Sequence, residues 1–287
     1  MAVTAAHPET AAPPDFADLK ARAGRGYRRR RRRDRMLRVL LGAGVPLALI
    51  VLWQIGSTVG VIDERFFPAP SVIAERAMQD IAERNLLSDL GAQLRASLVR
   101  IVAGIGIGVT TGVVAGSLMG SVAAVRHALS PLIYALYPMP KLAILPLLLI
   151  VFGIGEASKI TLVSLGVFFV VCLSTFSGTL YTNPIYHDVS RAFALPRAMT
   201  YWRVVLPAAL PSIMSGVKLG IGQALILVVS VEFVSSNNGI GYFIWQSWQT
   251  LDIARMFIGL ICVAIAGAAA VLLGDACERV LVPWAKR

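Results

Sequence analysis

Lys141 is the residue of this chain best placed to do chemistry in an apolar setting. It lies in the apolar run Leu129 to Phe152, together with Pro131, Pro138, Pro140 and Pro146. An ammonium group inside a hydrocarbon layer is expensive and by default marks a route for polar or charged cargo. Prolines remove helix hydrogen bonds, which a membrane tolerates only where protein or a water-filled cavity covers the freed groups. Glu232, in the apolar run 212–234, is a carboxylate that Lys141 can pair with. Pro140, Lys141, Pro146 and Glu232 are therefore the candidate pathway residues. A purely structural Lys141–Glu232 pair, or a lysine reaching back to the interface, is the plainer reading of the same residues.

A second polar concentration, NPIYHDVSRAFALPRAMTYWRVVLPAALP, runs from Asn183 to Pro211 between the apolar runs 160–180 and 212–234. It carries Asp188, Arg191, Arg197 and Arg203, and holds Pro184, Pro196, Pro207 and Pro211. Asn183-Pro184 reads as a helix cap followed by proline at the first helical position. Asp188 is expected in the first turn, where a carboxylate favours the helix dipole. Pro196 ends that helix, and a second amphipathic piece, Met199 to Leu206, is expected to stop at Pro207. Such a helical hairpin is longer than a connection between spans requires. It has the makings of a docking element for a soluble partner, the bland alternative being an ordinary amphipathic loop.

Enzymatic chemistry has little to stand on. There is no GxxxxGK[ST] phosphate loop, so ATP binding by this chain is not expected. No nucleophile, base and orienting group come together in the sequence. Cys172, Cys262 and Cys277 form no CxxC pair, and His7, His127 and His187 are scattered, so neither a disulfide framework, a metal site nor a cofactor is expected.

The elements that must position these residues follow from composition. Of 287 residues 56% are hydrophobic, and the mean hydropathy is +0.71. That excludes an ordinary soluble domain and implies a polytopic, all-α membrane protein. Residues 1–35 form an Ala/Pro-rich, then Arg-rich tail with six consecutive arginines, Arg28 to Arg33. The tail is expected to be disordered and, because it abuts a hydrophobic run, reads either as a site for anionic lipid headgroups or as a solvated topology anchor, rather than as a nucleic-acid site. Residues 36–96 hold the first span, about Val39 to Val59, and an external segment with an amphipathic helix from Ser71. Residues 97–280 form the core: spans at about Ser97–Ser121, Leu129–Phe152, Ile160–Leu180, Ser212–Val234 and Met256–Leu273, with the hairpin 183–211 among them. Gly153 to Lys159 reads as a short external turn, and Phe243, Trp245 and Trp248 as an interfacial belt or lid. Gly104, Gly108, Gly112, Gly116 and Gly120 recur every four residues, a stripe for close helix packing. Residues 281–287 are a short tail. Six spans with the arginines inside place both termini and the hairpin in the cytoplasm.

The hairpin resembles the EAA loop of ABC-importer permeases. Asp188 falls on the Glu of that pattern, Val189 and Ser190 on the two Ala, Ala194 on the Gly, and Leu206-Pro207 keeps the terminal Leu-Pro. The resemblance extends over about residues 45–280. Phe67-Pro68-Ala69-Pro70-Ser71, Pro138-Met139-Pro140-Lys141 with Leu145-Pro146, Phe152 to Glu156 with Lys159, and Gly239-Ile240-Gly241-Tyr242 look like the branch that imports nitrate, sulfonates and taurine. It implies half of a pore that works with a second permease copy. It also implies cytoplasmic ATP-binding subunits docked through Asp188, Arg191, Ala194, Arg203, Leu206 and Pro207, and an extracytoplasmic solute-binding protein. Catalysis would lie in the separate ATPase. The rival expectation is a secondary carrier driven by an ion gradient, since broken spans suit such carriers too. A membrane scaffold is a further rival, which leaves the Pro-rich span unexplained.

Overall fold

The computed structural model describes residues 41–285. The Arg-rich tail and Lys286-Arg287 lie outside the described residues. The chain divides into two compact units, Met1–Ser71 and Val72–Arg287.

In the first unit, α1 (Leu41–Thr58) is long and apolar enough to cross a membrane. The Pro-rich segment after it folds back on its end. Gln54 donates to Ser71 Oγ at 2.9 Å and accepts from the Ser71 amide at 3.0 Å, while the Ser57 hydroxyl donates to the Phe67 carbonyl.

In the second unit every regular element of the described residues is helical. They are α2 (Pro70–Arg84), α3 (Leu86–Ser121), α4 (Ala123–Leu136), α5 (Leu145–Phe152), α6 (Glu156–Leu180), α7 (Pro184–Ala192), α8 (Arg197–Thr200), α9 (Leu206–Ser235), α10 (Ile240–Gln249) and α11 (Ile253–Leu281). Five stretches qualify as spans: α1, α3, α6, Ala198–Ser235 and α11. A sixth is reached if α4 and the segment Lys141–Phe152, bent by 97°, count together as one broken span. The Pro-rich run is thus broken where its prolines demanded, at residues 137–140, whereas Pro131 is accommodated inside α4 and Pro146 in the first turn of α5.

Several boundaries differ from expectation; α9 begins at Leu206 rather than Ser212, and α11 runs to Leu281 rather than Leu273. The helix expected from Ser97 begins at Leu86, because the polar residues ahead of Ser97 still have partners on neighbouring helices. Gly153 to Lys159 is a turn only as far as Gly155; Glu156 and Lys159 lie in the first turn of α6.

The core sits on α6, between α3 and α9. Ile101, Val163, Val167, Val171, Leu227 and Val228 form one buried cluster across the three helices. The glycine stripe of α3 faces α6 along its length. A Cβ on Gly108 would lie 2.7 Å from the Ser164 carbonyl oxygen, and one on Gly116 would lie 2.4 Å from that of Cys172. Such an approach is closed to any larger residue, and it supplies the dispersion contact on which helix association in lipid depends. On the opposite side Gly216 of α9 meets Ser174 in the same way. The aromatic stretch after Gly239 is the helix α10. Phe243 is buried, and Trp245 stacks between Phe233 at 5.8 Å and Trp248 at 4.9 Å.

Candidate functional site

Three places on this scaffold carry polar residues with a definite arrangement: the hairpin, the break in the bent span, and the end of the bundle opposite the hairpin.

The hairpin opens as its sequence requires. The Asn183 side chain accepts from the Ile185 amide at 3.0 Å, with Pro184 at the first helical position. The helix α7 closes in a Schellman motif, with the Leu195 amide donating to the Ser190 carbonyl and the Ala194 amide to that of Arg191. Ala194 takes φ +49°, the left-handed conformation that glycine occupies more easily. Asp188 lies in the second turn of α7, not the first. The cap at Asn183 sets the helix start too far back for Asp188 to meet the free amides. It stands 3.8 Å from Arg191 instead, and both side chains are exposed.

Ile185, Val189 and Phe193 form an apolar stripe on α7 at four-residue spacing, each at least 48% exposed, with Trp202 also exposed beyond the turn. Single exposed apolar residues are ordinary, whereas these recur on one face of an otherwise polar hairpin. The charges of the hairpin do not point to this stripe, but its i, i+4, i+8 spacing is present in the sequence.

The second limb does not stop at Pro207. After α8, residues Tyr201–Val205 form a π-helical turn in which the Leu206 amide reaches the Tyr201 carbonyl, and the chain continues directly into α9. A wide turn suits a proline placed there, because Pro207 has no amide to offer the ladder. Arg203 is exposed on this turn, while Leu206 and Pro207 are half-buried. A cleft of about 630 Å³ lies between hairpin and bundle, lined by Gly120, Ser121, Thr179, Ser190, Arg191 and Tyr201 among others.

At the break, Lys141 follows Pro140 and opens a short 3-10 segment. Its ammonium donates to the Tyr137 carbonyl and lies 5.0 Å from the ring centre of Phe169 and 5.3 Å from that of Tyr137. It is not joined to Glu232.

Glu232 is fully buried at the far end of α9, facing Arg100 of α3. Arg100 Nη1 donates to Glu232 Oε1 at 2.5 Å, and Nε and Nη2 hold the Glu156 carboxylate at 2.6 and 2.7 Å. Arg100 also donates to the Asn238 carbonyl and side chain. Glu232 further accepts from the Ser97 hydroxyl at 2.7 Å and the Gly241 amide at 2.8 Å. Lys159 bridges Glu156 and Ser236. Arg100 is only 1% exposed although it lies in an apolar span. Its signal in the sequence is a charge inside an apolar span.

A second ion cluster stands beside it. Arg76 of α2 donates to Asp252 at 2.8 Å and lies 3.6 Å from Asp80, and Arg255 of α11 donates to Asp89 of α3 at 3.0 Å. The hydrogen bond to Asp252, with Asp80 nearby, holds the Arg76 guanidinium above its ordinary pKa. These pairs fasten α2 across the ends of α3 and α11.

A broken span, a helical hairpin between spans and tightly stacked central helices are a transport architecture. Residues 108–287 match the family described as the binding-protein-dependent transport system inner membrane component. The chain belongs to that family. This permease is similar to the taurine transport system permease protein TauC of Escherichia coli, with 31% identity over 247 residues, 86% of this chain and 90% of that protein. It is 31% identical to the aliphatic sulfonates transport permease SsuC of Bacillus subtilis, a putative assignment, covering 85% and 87%. A further relative is the nitrate import permease NrtB of Synechocystis, at 30% identity over 62% of this chain and 65% of that one. In fold it is similar to the MetNI methionine ABC transporter in an inward-facing conformation. The TM-score is 0.58 at 18% identity, covering 64% of this chain and 92% of that one. The permease is thus a multi-pass inner-membrane component of an ABC importer, as the resemblance implied.

Proposed function

We propose that this permease forms half of the translocation pathway of an ATP-driven importer of a small anion, such as a sulfonate, nitrate or aromatic acid, with both termini in the cytoplasm. A second copy completes the pathway, a solute-binding protein delivers the anion to the outer face, and a cytoplasmic ATPase docks on the hairpin 183–211. The single observation that supports this most is the hairpin itself. Its stripe Ile185, Val189 and Phe193 is exposed, and its second limb runs without interruption into α9.

A helix is stiff over this length, so displacement of the hairpin by a docked ATPase moves α9 as a lever. Asp188, Arg191 and Arg203 lie exposed on the docking side. Ala194 shapes the turn, and Leu206-Pro207 sets the root of the lever. At the break, Pro140 and Pro146 bracket a segment freed from the ladder, and Lys141 supplies the positive charge that an anion would meet. Glu232 acts at the outer end, through Arg100. The relatives' solutes, taurine, aliphatic sulfonates and nitrate, all present a compact anionic head, which is the class that a lysine in a broken span suits.

The test is purification of the full chain in mild detergent with mass spectrometry of its companions, repeated with Asp188, Arg191 and Leu206 each changed to alanine. An ATP-binding subunit that co-purifies and is released by those changes supports both the importer and the docking role. A chain that keeps its ATPase through all three changes removes the hairpin from that role. A chain that brings none returns an ion-driven carrier to first place.

A further inference from the structure

A groove beside the turn Tyr201–Val205 belongs neither to the docking stripe nor to the break. Val113, Val114, Ser117, Leu118 and Ser121 lie on one face of α3 and form one wall. Trp202 and Leu206 stand on the other. The groove holds about 360 Å³, within the range of small-ligand sites, and is apolar apart from its two serines and Tyr201. At Ser121 and Tyr201, which line both, it meets the cleft between hairpin and bundle. There the lining turns polar, with Ser190, Arg191 and Thr200, and carries no carboxylate among the described residues.

We infer that groove and cleft together bind one anionic phospholipid of the leaflet that meets the hairpin, its phosphate in the cleft and an acyl chain along α3. Four observations choose this occupant. Polarity falls in the direction a lipid lies: α3 ends at Ser121, so the wall from Ser121 back to Val113 leads into the span, about 12 Å at 1.5 Å per residue. The charge is complementary. Arg191 has one partner among the described residues, Asp188 at 3.8 Å, which leaves guanidinium donors for a phosphate. A polar group also stands where a lipid has its ester carbonyls. Ser117 is 7% exposed and its hydroxyl has no hydrogen-bond partner among the described residues, a state that costs stability until an acceptor arrives. It lies one helical turn from Ser121, on the acyl side. The depth agrees as well. Tyr201 and Trp202 meet edge to face at 5.4 Å, and Trp202 is 66% exposed, as aromatic residues are at a membrane–water boundary. The site is independent of which solute the permease carries.

The test uses the full chain, with the subunits that co-purify with it, in phosphatidylcholine vesicles. Its reporter is Trp202, quenched by phospholipid brominated on the acyl chain. The difference between wild type and Trp202→Phe separates this residue from the other four tryptophans. Brominated phosphatidylglycerol is expected to quench the Trp202 signal half-maximally at a mole fraction at least three-fold below that needed with brominated phosphatidylcholine. Ser121→Asp, and Thr200→Glu on the hairpin side, each put a carboxylate where the phosphate lies. Both should abolish the preference while quenching by bulk lipid persists. Equal quenching by the two lipids, or a preference that survives these variants, overturns the site. Absence of quenching by either lipid overturns it too, since a protein partner then covers the groove. Loss of the preference on adding inorganic phosphate overturns the lipid as occupant and leaves a soluble anion in the cleft.

Discussion

Arg100 Nη1 stands 2.5 Å from Glu232 Oε1, and neither side chain is more than 1% exposed. A charge pair removed this far from water is held by geometry, since the lost hydration is replaced by each other and by the surrounding groups, Glu156 and Asn238 on Arg100 and Ser97 and the Gly241 amide on Glu232. Removing one member leaves the other buried and uncompensated. Arg100→Met and Glu232→Met singly are expected to destabilise the permease by about 3–5 kcal/mol. The double replacement should lie well short of their sum, because no orphan charge survives opposite it. Thermal denaturation in detergent, run as a double-mutant cycle, measures this; additive losses would show that the pair does not couple.

The contact between α3 and α6 is set by glycine, and its tolerance should vary sharply along α3. A Cβ on Gly116 would stand 2.4 Å from the Cys172 carbonyl oxygen, whereas one on Gly106 meets nothing of this chain within 4 Å. Backbone cannot yield as a flexible side chain does, so Gly116→Ala should cost about 1–3 kcal/mol as an overpacked contact. Gly106→Ala should be neutral or slightly stabilising on helix propensity. Folded yield and melting temperature of the two variants decide the matter.

Ala194 occupies the left-handed position of the Schellman turn with φ +49°. A left-handed L-residue costs roughly 1–2 kcal/mol, which glycine avoids. Ala194→Gly is expected to raise the stability of the hairpin by about 1 kcal/mol once the extra freedom of glycine in the unfolded chain is subtracted. Hydrogen exchange of the Leu195 and Ala194 amides reports it directly: slower exchange in the variant is the expected result.

The exposed Asp188–Arg191 pair, by contrast, does little for the fold. At 3.8 Å with both side chains in water it contributes at most about 1 kcal/mol. Arg191→Ala should therefore leave the melting temperature within a degree or two. Any loss of ATPase co-purification then reports a lost partner contact rather than an unfolded hairpin. A large drop in melting temperature would show that Arg191 serves the fold.

What was legible in the sequence depended on range. The spans, the Asn183 cap, the break around Pro138 and Pro140 and the glycine stripe are written in local spacing, and the structure has them. Asp188 falls one turn later than expected because the Asn183 cap fixes the helix start at Pro184. Pro207 does not stop its helix as proline stops most, because the π-helical turn before it absorbs the missing hydrogen bond. The Arg100 cluster was hidden for another reason. Its members, Ser97, Arg100, Glu156, Glu232 and Asn238, are scattered over more than a hundred residues, and no periodicity links them. A charged residue inside a span needs a partner somewhere, but only packing says that Glu232 belongs to Arg100 and not to Lys141.

That pairing leaves Lys141 with the Tyr137 carbonyl and two aromatic rings for company. Cation–π contacts of this sort are worth about 0.5–2 kcal/mol, too little to make the lysine a structural necessity at a break shaped by Pro138 and Pro140. Lys141→Ala should therefore leave assembly and melting temperature close to wild type. Its effect should fall on transport. If an anion passes the break, removing the ammonium takes away a positive charge that would stabilise it in a medium of low dielectric. Uptake of whichever anion among taurine, aliphatic sulfonates and nitrate the wild-type complex carries is expected to drop at least ten-fold in vesicles holding the full complex and its binding protein. Lys141→Arg, which keeps the charge but changes its shape, should retain part of the rate. ATP turnover without binding protein should be unchanged in both variants, which separates a pathway defect from a coupling defect. Uptake at the wild-type rate in Lys141→Ala would remove this residue from the pathway and leave the break as a matter of shape alone.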